Sequence, residues 1–121
     1  MSDFQISFKH TNTTPNEELQ GLITEKFATL QKFVQNETDV KLDIELEELQ
    51  IGRTGDKFRV EGNFWLAGKM YRAESTAESF EKGIDLVRND IQRKVRKRQD
   101  KKDTLLRRGS MAIKRMLRRG E

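Results

Sequence analysis

Between residues 88 and 119 the chain carries 14 lysines and arginines against 3 acidic residues. A one-signed concentration of that kind condenses on a phosphate backbone, because each cation that meets a phosphate releases a bound counterion. Arg93, Arg96 and Lys97 project to one side of a helix turning by about 100° per residue, with Arg88 and Gln92 on the flank. The planar arginine fork bonds two phosphate oxygens at once, which gives affinity and register without reading bases. Structured RNA is recognised by shape in this way. The competing readings of such a run are a merely solvated helix face and a helix lying on an anionic membrane.

Other chemistry has little to work with. The chain has no cysteine and a single histidine, His10, so thiolate and multi-histidine metal sites are excluded, and His10 reads as ordinary loop chemistry in the turn Lys9-His10-Thr11-Asn12. Glu47 and Glu48 are adjacent on a strand and point to opposite sides. Asp43, Glu45 and Glu47 share one strand face, where a magnesium ion is one outcome and pairing with cross-strand lysines and arginines the commoner one. Gly52, Gly55 and Gly62 read as turn or bulge glycines, and neither a Walker loop nor a G-x-S-x-G element is present. Neither an enzyme, a metal, a cofactor nor a small-molecule substrate is expected.

The elements that position these residues follow from periodicity. At 121 residues, 34% hydrophobic and 36% charged, the chain suits one modest domain with a solvated tail. No run approaches the roughly 20 apolar residues of a membrane span. The first residues lack a basic-then-apolar leader, so a cytoplasmic location without a membrane partner is expected. Phe4, Ile6 and Phe8 alternate with polar residues as in a half-buried strand. Thr14-Pro15-Asn16-Glu17 then reads as a capping box with proline at the first helical position, followed by an apolar stripe from Leu19 to Val34. Val40, Leu42, Ile44 and Leu46 form a second strand with an acidic outer face. Turn chemistry at Gly52–Asp56 leads to a third strand through Leu66, and a tight Gly68-Lys69 turn leads to a fourth, with Tyr71 and Ala73 inward. Trp65 falls on the outer side, suited to stacking on a base or to packing at a sheet edge or on a partner. Ser75–Glu78 offers caps for a second helix, whose stripe of Ala77, Phe80, Ile84, Val87, Ile91 and Val95 is the clearest in the chain.

The predicted architecture is a two-layer α+β domain of order β-α-β-β-β-α, a four-stranded sheet with both helices on one face, covering residues 1–99. A basic tail, 100–121, follows the interruption Asp100-Lys101-Lys102-Asp103. Charge divides with it: residues 1–68 hold 7 basic against 12 acidic side chains, and residues 69–121 hold 17 against 8. Within the tail, Ile113, Met116 and Leu117 form a short apolar stripe among Lys114, Arg115, Arg118 and Arg119, preceded by Arg107 and Arg108, with Ser110 as a cap. Such a short helix is unstable alone in water, so the tail is expected to be mobile until ordered against a partner.

The run Asp85–Lys97, with Ser79-Phe80 and Ile84 before it, resembles the second helix of the ribosome hibernation-promoting factors, or ribosome-associated inhibitors. Leu22-Ile23, Lys26-Phe27, Leu30 and Lys32-Phe33 are similar to that family's first helix, and Phe58–Glu61 with Tyr71–Glu74 to its hairpin strands, so that the resemblance spans residues 4 to 99. It implies binding to the small ribosomal subunit and its ribosomal RNA between head and body, where basic helices occlude the messenger and transfer RNA sites and translation stops reversibly. By position the contacts would fall on Lys26, Lys32, Arg88, Arg93, Arg96 and Lys97. Lys26 lies inside the apolar arc, so only its ammonium would reach out. The turn after the first strand departs from the family's glycine-arginine. The chain has no room for the dimerising domain of long members, so ribosome dimerisation is not expected. A general double-stranded RNA or DNA module, or a regulator docking proteins on the acidic sheet face, remain the alternatives.

Overall fold

The computed structural model describes residues 4–34, 37, 39–50 and 57–119, with the backbone alone at 102–104, 106 and 110–119. Period-two alternation gives four strands, β1 (Gln5–Thr11), β2 (Lys41–Glu48), β3 (Phe58–Leu66) and β4 (Lys69–Ala77). The apolar helical stripes give α1 (Glu17–Phe27), continued by a 3-10 segment (Ala28–Phe33), and α2 (Phe80–Arg119). One sheet holds the strands in the order β1-β2-β3-β4. β1 is parallel to β2, which a crossover through α1 requires, and the other two pairs are antiparallel. This is the expected two-layer α+β architecture.

Local chemistry moves several boundaries. Helix α1 is capped by Asn16, whose Oδ1 accepts the Leu19 N–H at 2.8 Å, so the cap lies two residues beyond Thr14 and Pro15 precedes the helix. The α-helical ladder ends at Phe27, where the Thr29 hydroxyl bonds the Lys26 carbonyl at 3.2 Å and competes with it. The 3-10 segment still brings Leu30 into the core, and Val34 follows it there. His10 belongs to β1, opposite Leu46, and Asn12, with φ of 56°, makes the turn. The run expected to cap α2 completes β4 instead; the cap is Ser79, whose Oγ accepts the Lys82 N–H at 3.1 Å. The turn expected at Gly52–Asp56 lies outside the described residues. Leu66 pairs with Lys69, so Ala67 and Gly68 form the β3–β4 turn, with φ of 53° and 79°. Two positive φ angles match the strand twist; glycine adopts them freely and alanine does not.

The largest departure is the length of α2. It runs unbroken for 40 residues, about 60 Å, with position 110 inside it, where the sequence reading stops the helix near Gln99 and starts another at Ser110. Extending a helix already fixed by packing avoids the nucleation cost that makes a short isolated one unstable, and Gly109 weakens it by only about 1 kcal/mol. The nine-residue strands β3 and β4 span about 30 Å, so roughly half of α2 has no sheet beneath it. Past Gln99 every described side chain is exposed.

The core lies between the sheet and the helices. Leu42, Ile44, Leu46, Val60, Phe64 and Leu66 meet Ile23, Phe27 and Leu30 on one side and Ile84, Val87, Ile91 and Val95 on the other. Phe58 and Phe80 meet edge to face at 4.8 Å, tying the start of α2 to β3. Gly62, expected in a turn or bulge, is instead mid-strand beneath α2: a Cβ there would stand 2.8 Å from Val87 Cγ1 and 3.0 Å from Ile91 Cδ1. On the facing helix, a Cβ at Gly83 would lie 2.8 Å from Val60 Cγ2.

Gly62→Ala should therefore force α2 off the sheet and lower stability by about 1–3 kcal/mol in chemical denaturation; an unchanged midpoint would show that the helix yields freely. Ala67→Asn should raise stability by up to about 1 kcal/mol, because asparagine tolerates the left-handed region; a loss would mean that the turn does not hold that backbone.

Candidate nucleic-acid interface

Helix α1 and its 3-10 extension lie beside α2 in the same sense: Lys26 meets Asp85, Thr29 meets Gln92 and Gln99 meets Phe33 in step. The first contact is an ion pair, with Lys26 Nζ 2.6 Å from Asp85 Oδ1 and the lysine side chain 22% exposed. Its stem is packed as expected, but its ammonium is committed to holding the helices together. Lys32 is exposed, with its ammonium 5.2 Å from the centroid of the Phe33 ring.

On the outer arc of α2, Arg93, Arg96 and Lys97 are all exposed. The Arg93 side chain is 76% exposed, and it is steadied by a bond from Nη2 to Asp90 Oδ1. Arg88 is half-buried and donates from Nε to Asn89 Oδ1 at 2.8 Å. The tail cations Arg107 and Arg108 stand exposed on the same helix, and positions 114, 115, 118 and 119 continue its backbone. Lys32 and the outer arc thus share the helical layer, while Lys26 is turned inward.

A second cationic surface escaped the sequence reading. Where α2 passes β4, a groove of about 520 Å³ is lined by Lys69, Arg72, Lys94, Lys97, Arg98 and Lys101 around Met70 and Tyr71. The signal was present in the spacing: 94, 97, 98 and 101 recur at three and four and so share a helix side. Only the fold brings β4 against that side, where Lys94 Nζ donates to the Arg72 carbonyl.

The sheet face away from the helices has the opposite sign. Glu45, Glu61 and Glu74 stand directly across from one another on β2, β3 and β4. Arg59 reaches over this row, pairing with Glu45 at 3.3 Å, Glu47 at 3.4 Å, Glu74 at 2.5 Å, and Glu61. Arg72 adds a contact to Glu61 at 3.3 Å. Burial opposes ionisation of Glu61, but hydrogen bonding from Asn63 and the charges of Arg72 and Arg59 outweigh it and hold the carboxyl below its usual range. Of the expected row Asp43, Glu45 and Glu47, the two glutamates pair across the strands with Arg59, and no cluster suited to a metal ion occurs among the described residues. Trp65 lies on this face with the Lys41 ammonium 5.5 Å from its ring centroid, and its indole N–H is buried without a partner.

A sequence model of the family described as Sigma 54 modulation protein / S30EA ribosomal protein matches residues 4–103. The chain belongs to this family. The hibernation-promoting resemblance in the helices and hairpin points to the same group, which makes the chain a ribosome-associated modulation protein in that coarse sense. The S30EA fold appears in a ribosomal subunit interface protein from Coxiella burnetii, with a TM-score of 0.67 and 18% identity over 80% of this chain and 99% of that one. The N-terminal domain of Thermus thermophilus Protein Y gives a TM-score of 0.64, also at 18% identity, over 80% and 98% of the two chains. No curated protein sequence matches. The S30EA-family match stops at residue 103, so the last part of α2 lies beyond it. No helix among the described residues is long and apolar enough to cross a membrane.

Because the folded-state pKa of Glu61 is depressed below the ordinary 4.5, its contribution to stability is present above that pH and is lost as the pH falls through the lower folded value. Thermal unfolding of Glu61→Gln should be less sensitive than wild type to acidification across that window. Identical pH profiles would show that Glu61 gains nothing from its arginines.

Proposed function

We propose that this chain binds the small ribosomal subunit in the cleft used by messenger and transfer RNA, and silences translation reversibly by occupancy. The outer arc of α2 lies on ribosomal RNA, with Lys32 beside it. The reading rests on one observation above all: Arg93, Arg96 and Lys97 stand exposed on one arc of a helix that continues past the sheet to Arg107 and Arg108. A cationic stretch of helix about 48 Å long, residues 88–119, matches a groove of phosphates better than a flat surface. The acidic sheet face is opposite, so an approaching polyanion is oriented helix-first. Residues 100–121 extend the RNA contact beyond the domain of residues 1–99, and Lys26 acts by bracing the helices. No chemistry is involved, and the work is done in the cytoplasm, with the ribosome as the partner. Membership of a family described by a ribosomal protein supports the reading.

Reversing charge at Arg93, Arg96 and Lys97 together should leave the unfolding temperature nearly unchanged, since all three are exposed. Binding to small subunits should weaken, with the salt slope shallower by about one for each phosphate that is no longer neutralised. Removing 104–121 should likewise weaken binding without moving the unfolding temperature. In a purified translation system the intact protein should reduce initiation stoichiometrically and be displaced by excess transfer RNA. Full binding by a folded triple variant, or inhibition indifferent to transfer RNA, would overturn the assignment.

A further inference from the structure

We propose that the groove between β4 and α2 is a binding site for a diphosphate-bearing anion, with the Tyr71 hydroxyl and the Arg98 guanidinium as inner donors and Lys69, Lys97 and Lys101 as the rim. It is distinct from the outer arc that the ribosome reading uses, although Lys97 stands at the border of both.

Tyr71 is 5% exposed, and its hydroxyl is buried with no hydrogen-bond partner in the protein. Nη1 of Arg98 is in the same condition. Both residues line the groove. A buried donor without an acceptor is costly, and the cost is relieved when a ligand oxygen takes the proton's other side. Burial raises the Tyr71 pKa, with the Arg98 charge opposing only in part, so the phenol stays protonated and can only donate to an anion.

The lining defines the ligand class. Six of its eight residues are cationic and none is acidic, so the groove attracts an anion and repels a cation. Arg72 is drawn toward Glu61 at 3.3 Å, and Lys94 holds the Arg72 carbonyl and Asp90, the latter at 3.2 Å, so these two build the wall. Lys69 lies over the Tyr71 ring, with its ammonium 5.3 Å from the ring centroid, and so adds its charge at the mouth of the groove. Two linked phosphates present many acceptors and several charges to such a surface, whereas one carboxylate would engage only a fraction of it. A groove of about 520 Å³ exceeds the size of a single phosphate. A pair of phosphates reaches such a groove from two sources, a free or nucleotide-borne diphosphate and two neighbouring phosphodiesters of an RNA strand, which a ribose holds apart.

The test is titration of the full chain with inorganic pyrophosphate by calorimetry and by NMR. Saturable binding is expected, with shifts centred on Tyr71, Arg72 and Arg98. Tyr71→Phe and Arg98→Gln should each weaken it about tenfold, the loss of one hydrogen bond to a charged group, while Arg93→Gln leaves it unchanged. Tyr71→Phe keeps the ring in the core, and Arg98→Gln supplies a second variant outside the apolar core should that ring shift. Absence of saturable binding, or equal weakening by Arg93→Gln, would overturn the site and leave only diffuse attraction. Adding pyrophosphate to the chain bound to ribosomal RNA distinguishes the sources: displacement assigns the groove to strand phosphates, and simultaneous binding assigns it to a free diphosphate. Ribosome binding by a double charge reversal at Arg93 and Arg96, which leaves every groove residue in place, is read separately, so either idea can fail without the other.

Discussion

Gly62 and Gly83 stand where strand and helix meet with no room for a methyl group, and that contact sets the depth at which α2 lies on the sheet. Depth sets the rest. With α2 pressed onto β3, Ile84, Val87, Ile91 and Val95 are essentially fully buried and α1 is drawn alongside through Lys26 and Asp85. The flank of α2 then meets β4 closely enough for Lys94 to reach a backbone carbonyl, which walls the cationic groove. A helix riding higher would keep its stripe partly wet and leave those cations dispersed. The cationic surfaces are therefore consequences of packing, since the same side-chain periodicity that buries one arc of α2 aims the others.

Charge is segregated through the thickness of the molecule. The helical layer carries exposed arginines and lysines, and the open sheet face carries a row of three glutamates that Arg59, with Arg72, makes tolerable. Burial works against the Arg59 charge, yet its bonds and charges from Glu74 and Glu61 leave its pKa raised, so the guanidinium is a fixed part of the face. Like charges directly opposite on neighbouring strands destabilise a sheet unless a counter-ion spans them. The arrangement gives the protein a strong dipole with a modest net charge, and a dipole orients an encounter where net charge only accelerates it.

Most of the fold was legible because burial leaves a period in the sequence. The alternation in β2 and β3 and the stripe of α2 were set by core packing and read directly. What stayed hidden depended on partners distant in the chain. Asn16 rather than Thr14 caps α1, a choice between two good caps that local chemistry alone does not rank. Gly62 looks like a turn glycine until α2 is known to cross it. Lys26 reads as a snorkelling cation until Asp85, 59 residues away, is found at its ammonium. The cationic outer arc of α2 was visible as a one-signed helix face; the groove was not, because half of its wall belongs to β4. The continuity of α2 was hidden for another reason: the polar run at 100–103 interrupts the apolar stripe without breaking the helix, which needs no core once it has been started.

Lys94 has a further consequence for how copies of this protein behave in solution. β4 is a terminal strand, and the unpaired backbone of such a strand is a template on which another chain adds by hydrogen bonding. By donating to the Arg72 carbonyl, Lys94 occupies one rung of that template and sets a positive charge against any incoming strand. Lys69 and Lys97 repeat the charge along the same margin. The lysines at this border thus act as gatekeepers against edge-to-edge association through β4.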